Sequence, residues 1–225
     1  MYPQKIVTTL VTTLLSSVAL AQDESNIRFT FEANEPKSAQ GIITTAEDSR
    51  SATVNTWGVI VEDRGIAKTP ADNNVYFVAG DWNGSSWGSI TYLSLAEAIA
   101  LNKDSLIGAK VRAVLEDADV PSTIVVGIQV VDGDGSKFVT KEDLRVPLQG
   151  EEVEVAQTVD ALRVEEAGAT SSLDTNNITG MAIVLWYHKT DKEPENRKTK
   201  WTIHLDDFLI QNTALDPRIR SLLDE

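Results

Sequence analysis

The chain has 225 residues, no cysteine, and 34 acidic against 20 basic residues, a formal charge of −14. An acidic surface of this size repels nucleic acid and anionic membranes, and suits divalent cations, neutral glycans or basic partners. Without cysteine, an exported fold must rest on its core and on bound ions rather than on disulfides.

The first residues, MYPQKIVTTLVTTLLSSVALAQ, carry Lys5, an apolar stretch from Ile6 to Leu20 and the small-residue pattern Ala19-Leu20-Ala21. That layout predicts a secretory signal peptide over residues 1–21, and so a mature chain that is secreted, extracellular or periplasmic. No later apolar run is long enough to span a bilayer, so no membrane insertion is expected. What remains is the size of one all-β domain, residues 22–214, followed by a tail, 215–225, in which Asp216-Pro217 can open a short helix.

In chain order, IRFTFEAN alternates apolar and polar residues and predicts a first strand. Thr53 to Asp63 reads as one extended run. Asn73 to Leu95 reads as two strands around a Gly/Ser/Trp loop, and Ser94 to Asp104, SLAEAIALNKD, as the best helical stretch, though short. Strands are expected again in AKVRAVLED, STIVVGIQVVD and KFVTK. Val153 onward reads as a strand followed by one or two helical turns. A strand from Gly180 to Tyr187, the charged loop KTDKEPENRKTK and the apolar WTIHLDDFLI close the domain. Many short strands between turn signals predict an antiparallel β-sandwich.

WTIHLDDFLI poses a chemical question, because strict alternation puts one of Asp206 and Asp207 beside buried groups. A buried carboxylate needs a cation, a metal or several N–H donors. In DGDGS, Asp132, Asp134 and Ser136 alternate like calcium ligands, but Lys137 stands where an EF-hand needs Gly, and a β-turn is the better reading. For stacking on sugar faces, Trp82, Asn83 and Trp87 lie in a Gly/Ser loop with Asp81 beside them. Trp57, Trp186, Tyr187 and Trp201 sit in strand patterns, where core packing is the default. Pairing of the last two strands would bring His188 and His204 near each other, where solvated surface residues are the default reading. No thiol nucleophile, Gly-x-Ser-x-Gly elbow or His-Glu-x-x-His helix is present.

The run Tyr76-Phe77-Val78-Ala79, Trp82-Asn83-Gly84, Trp87-Gly88-Ser89, then Ile90, Tyr92, Leu93 and Leu95, resembles the laminin B (laminin IV type A) domain. Val146-Pro147-Leu148, Leu173 to Tyr187 and His204 to Ala214 are similar to that family's later segments. The resemblance implies a jelly-roll sandwich of the galactose-binding-like class, which includes carbohydrate-binding modules. In those modules a structural calcium commonly joins a carboxylate of the first strand to an Asp of the last. Here the matching residues are Glu32 and Asp206 or Asp207. The other reading has one Asp solvated and the other held by loop N–H groups. The function expected is a secreted, non-catalytic, calcium-stabilised module that binds a glycan. The alternatives are a structural or adhesion domain for an extracellular protein, and a polysaccharide-active enzyme.

Overall fold

The computed structural model describes residues 26–38, 40–58, 61–82, 88–116, 123–165, 172–186 and 199–211. The predicted leader, the tail, His188, Tyr187, Asn83 and Trp87 lie outside them. The described residues form β1 (Asn26–Thr30), β2 (Lys37–Ser38), β3 (Ile42–Ala46), β4 (Ser51–Gly58), β5 (Val61–Lys68), β6 (Asn74–Trp82), β7 (Ser89–Ile99) and β8 (Leu106–Leu115). There follow β9 (Thr123–Asp132), β10 (Lys137–Thr140), β11 (Leu144–Pro147), β12 (Gln149–Thr158), β13 (Leu162–Val164), β14 (Ile178–Trp186) and β15 (Thr199–Gln211). One 3-10 turn, Val159–Ala161, lies between β12 and β13.

All the pairings are antiparallel and fall into two layers. One layer runs β13-β10-β9-β14-β7-β4-β3, with β11 also on β9. The other runs β12-β8-β15-β6-β5-β2. The long β15 is flanked by β6 along its first half, and β1 takes that place along its second half while pairing with β3, which joins the layers at one side. The connections β6 to β7, β7 to β8 and β8 to β9 each pass from one layer to the other. This alternation gives the expected all-β jelly-roll sandwich.

Period-two patterning fills the space between the layers. Val54, Leu93, Met181, Ile183, Leu185, Ile128 and Val130 point in from one layer, and Tyr76, Val78, Val111, Trp201, Ile203, Leu205 and Phe208 from the other. The Phe31 ring packs against Tyr76 at 5.7 Å and against Phe208 at 6.2 Å between centroids. Trp201 is therefore a core residue, as expected.

Two expectations need correction. Ser94 to Ile99 is the end of β7, not a helix. Leu95 pairs with Ala52 of β4 and Ile99 with Ile178 of β14, so neighbours supply the backbone partners that a short isolated helix would have to make alone. Thr53 to Asp63 is not one strand either, since β4 and β5 belong to different layers. The DGDGS segment is the turn of the β9–β10 hairpin. Gly135 takes a φ of 87°, its N–H reaches the Asp132 carbonyl at 3.0 Å, and Asp132 Oδ1 accepts from the Ser136 N–H at 3.0 Å.

Candidate functional site

The two aspartates of β15 are explained by a β-bulge. Asp206 pairs with Lys110 and Leu209 with Gly108, so β15 carries one residue more than β8 between those pairs. Asp207 takes a φ of 47°, a left-handed conformation that Asp tolerates better than most residues. The extra residue switches the strand's inward set from Trp201, Ile203 and Leu205 to Phe208 and Ile210. Asp207 Oδ2 then receives Arg28 Nη1 at 2.9 Å and Lys110 Nζ at 2.7 Å. The carboxylate beside Lys110 raises the pKa of that ammonium.

Asp206 is only 5% exposed. Its Oδ2 accepts from Asn73 Nδ2 at 2.8 Å, while its Oδ1 is buried with no hydrogen-bond partner. Burial pushes its pKa up, against the opposing Asn73 bond, and the Asp207 and Glu32 charges add to the rise. The next residue, Asn74, donates to the Glu32 and Asn34 carbonyls at 3.2 and 2.8 Å, and its own Oδ1 is buried and unpartnered. One corner of the molecule thus gathers the turn after β1, the residues entering β6 and the bulge of β15. Glu32 itself is exposed there. Among the described residues no three Asp, Glu or His side chains converge as a metal set, so an ion at this corner would draw on amide and backbone oxygens as well.

His204 lies in the same layer, paired with Phe77 and Arg112. Burial, then the Arg112 charge, lowers its pKa. β14 and β15 do not pair but lie in different layers, and His188 is outside the described residues.

The aromatics give the second site. Trp57 is 50% exposed, against the core packing expected of it. Its parity on β4 is the reason: Ala52, Val54 and Thr56 point inward, which leaves Thr53, Asn55 and Trp57 on the outer face. That polar company was the signal in the sequence. The register then lays out rows across the outer face. One row is Trp57, Ile90, Val184 and Gly127, and the next is Asn55, Tyr92, Ala182, Gln129, Val139 and Arg163. The third is Thr53, Ser94, Gly180, Val131 and Lys137.

Gly180, Ala182 and Gly127 make a low floor between taller side chains. Trp57 and Tyr92 meet edge to face with centroids 5.3 Å apart, and Lys137 Nζ sits over the Tyr92 ring at 5.6 Å. With Ser94, Val131, Thr179 and Gly180 these residues line a cleft of about 330 Å³. Trp186 rises at the other end, its ring standing where a side chain on Gly127 would be. Gln129, fully buried at the centre, donates to Glu165 Oε2 at 3.0 Å and keeps an unpartnered Oε1.

The loop expected to carry the site is described only in part. Asp81 and Trp82 end β6, opposite Lys200 and Thr199, and their side chains lie outside the described residues along with Asn83 and Trp87.

No protein-family model matches the chain, and no curated protein does. Among solved structures, it is similar to the family 11 carbohydrate-binding module of cellulosomal cellulase Lic26A-Cel5E of Clostridium thermocellum. That match has 15% identity and a TM-score of 0.43, over 84% of this chain and 96% of the module. The family 11 module from Clostridium thermocellum in complex with a β-1,3-1,4-mixed-linked tetrasaccharide matches at 14% and 0.45, over 86% of this chain and 99% of that one. An exo-β-agarase matches at 11% and 0.47, over 86% of this chain and 25% of the agarase. At such identities and scores the fold rests on the topology described above.

Proposed function

We propose that the chain is a secreted, non-catalytic carbohydrate-binding module whose ligand lies on the outer face of the β4–β7–β14–β9–β10 layer. The observation that supports this most is the half-exposed Trp57 set against Tyr92 above a floor of small residues. Flat rings offer the apolar faces of pyranoses a stacking surface, and Asn55, Ser94 and Lys137 stand in these rows, with Thr179 also lining the cleft, for hydroxyl groups. Trp57 packs against Tyr92 and still leaves half of its surface open to solvent. The test is affinity electrophoresis against a panel of soluble polysaccharides. Trp57→Ala is expected to abolish retardation by the bound polymer while leaving the melting temperature within a few degrees. Retardation unchanged in Trp57→Ala refutes the site.

Calcium is the second part of the proposal, placed at the corner of Asp206, Asn74 and the Glu32 turn. Its support is the pair of buried, unpartnered oxygens, Asp206 Oδ1 and Asn74 Oδ1, beside backbone carbonyls. In this reading Asp206 supplies the buried carboxylate, Glu32 the outer oxygens, and Asp207 fixes the bulge through Arg28 and Lys110. The melting temperature in calcium should exceed that in chelator by several degrees, and Asp206→Ala should remove the difference. Equal melting temperatures in the native chain would dismiss the ion.

A further inference from the structure

We propose that the outer face of the β12-β8-β15-β6 layer carries an anion site, built by Arg112 and His204, for a carboxylate ligand whose apolar body lies on Phe77. This face is in the other layer from Trp57, and the site does not depend on the reading of that platform.

Parity brings the three side chains together. Val111 and Ala113 of β8, Ile203 and Leu205 of β15, and Tyr76 and Val78 of β6 belong to the core, so Arg112, His204 and Phe77 point outward. His204 is the register partner of Arg112 on one side and of Phe77 on the other. Directly opposed residues have Cβ atoms about 4.5–5.5 Å apart, so the three make one row, and each is half-buried.

The cation is fixed by its neighbours. β12 bulges between Gln149 and Glu152, Gly150 takes a φ of 81°, and its carbonyl accepts from Arg112 Nε at 2.7 Å. A side chain on Gly150 would stand 3.4 Å from Arg112 Nη2, so the glycine leaves room for the guanidinium. That bond uses one of the five N–H donors, and no carboxylate among the described residues forms an ion pair with the group. Beside it, His204 keeps a buried Nδ1 without a hydrogen-bond partner, and the Arg112 charge adds to burial in lowering its pKa.

Two groups able to carry positive charge thus stand side by side. A carboxylate placed against them takes charge-assisted bonds from the guanidinium and favours the imidazolium, which then donates as well. The other charged groups around His204 are mostly engaged or remote. Lys110 is bound to Asp207 at 2.7 Å, and Asp206 accepts from Asn73 at 2.8 Å. Asp63 and Lys200 lie one and two rows further along the strands. Glu152 and Glu154, the register partners of Arg112 and Lys110, are exposed on the edge strand, and Glu152 is the rival that a ligand must displace. The ring of Phe77 continues the row beyond His204, and an apolar body attached to the carboxylate covers it.

The probes are phenylacetate and acetate, titrated at constant ionic strength while the imidazole C–H resonances are followed by NMR. The chain has two histidines, so His188→Gln assigns the signal of His204. Saturation with phenylacetate is expected to raise the His204 pKa by about one unit, and by linkage the anion then binds about tenfold more tightly below that pKa than above it. Acetate, which lacks the apolar body, should need about tenfold more to reach the same shift. Arg112→Gln should abolish the response, Phe77→Ala should bring phenylacetate down to the level of acetate, and Glu152→Gln should tighten both. A His204 resonance that ignores both anions in the native chain overturns the site, as does a full response in Arg112→Gln. A preference for phenylacetate that survives Phe77→Ala overturns the seat on that ring. Melting curves establish that each variant is folded, and the native-chain titration stands whatever they show.

Discussion

Asp206 shows how burial couples one residue's proton to folding. Its pKa is raised in the folded chain by burial, so the native state holds the proton more tightly than the unfolded one. Without a metal, this group therefore favours folding most below the ordinary carboxylate range, and that contribution is lost as pH rises through the raised value. At the proposed site calcium would reverse the preference, because it needs the carboxylate. The stabilisation by calcium should accordingly be full at neutral pH and fade as pH falls through the raised Asp206 pKa. Melting curves in calcium and in chelator at stepped pH check this, and a calcium effect that stays constant down to strongly acidic pH would place the ion elsewhere. The sequence made the dipeptide conspicuous but could not resolve it, because alternation was assumed to run unbroken. The bulge breaks it and shifts the apolar set from Trp201, Ile203 and Leu205 to Phe208 and Ile210, a change of phase that the apolar Leu209 between them blurs in the sequence.

At the scale of the strands, most of the outer face was already present in parity. Trp57 shares its face with Thr53 and Asn55, and Trp186 shares its face with Gly180, Ala182 and Val184, opposite Met181, Ile183 and Leu185 of the core. Aromatic character suggested the core because a ring in a strand usually packs inward. Which strands lie side by side is set by long-range pairing, so the meeting of Trp57, Tyr92 and Lys137 from β4, β7 and β10 could not be read locally. The helical reading of Ser94 to Asp104 failed for the same reason, as alanine-rich local propensity yielded to pairing on both sides. The pairing of β14 with β9 also makes Gly127 a test of the face. A methyl there would collide with the outer end of the Trp186 ring. Gly127→Ala is expected to destabilise the fold by about 1–3 kcal/mol through overpacking, or to push the ring out of place. In a Trp186→Leu background the same substitution should cost much less. Equal costs in the two backgrounds, read from denaturant unfolding, would show that the ring is not what the methyl meets.

Across the whole molecule the two layers are held together by more than apolar contact. Tyr76 on β6 reaches through the core so that its hydroxyl lies 3.0 Å from Thr56 Oγ1 on β4, and Thr56 Oγ1 lies 2.9 Å from Thr91 Oγ1 on β7. All three residues are buried, and burial raises the Tyr76 phenol pKa further above its ordinary value. Arg64 of β5 donates to the Thr56 carbonyl at 3.1 Å, so the link ends at a cation bordering the core. Period-two patterning told that Thr56 and Thr91 share the inner face with Val54 and Leu93, but not that a tyrosine from the opposite layer would satisfy them. A hydroxyl chain of this kind contributes little net energy and costs more when half removed. Tyr76→Phe should therefore destabilise by about 1 kcal/mol, a drop of roughly 2–4 °C in melting temperature for a domain of this size. Thr56→Val alone should cost more, since it strands the Tyr76 and Thr91 hydroxyls together. The triple replacement Tyr76→Phe, Thr56→Val and Thr91→Val removes every partner at once and should recover part of that loss. Strictly additive costs across the series would mean that the three hydroxyls act separately, and that the layers are joined by the apolar core and the β1–β15 edge alone.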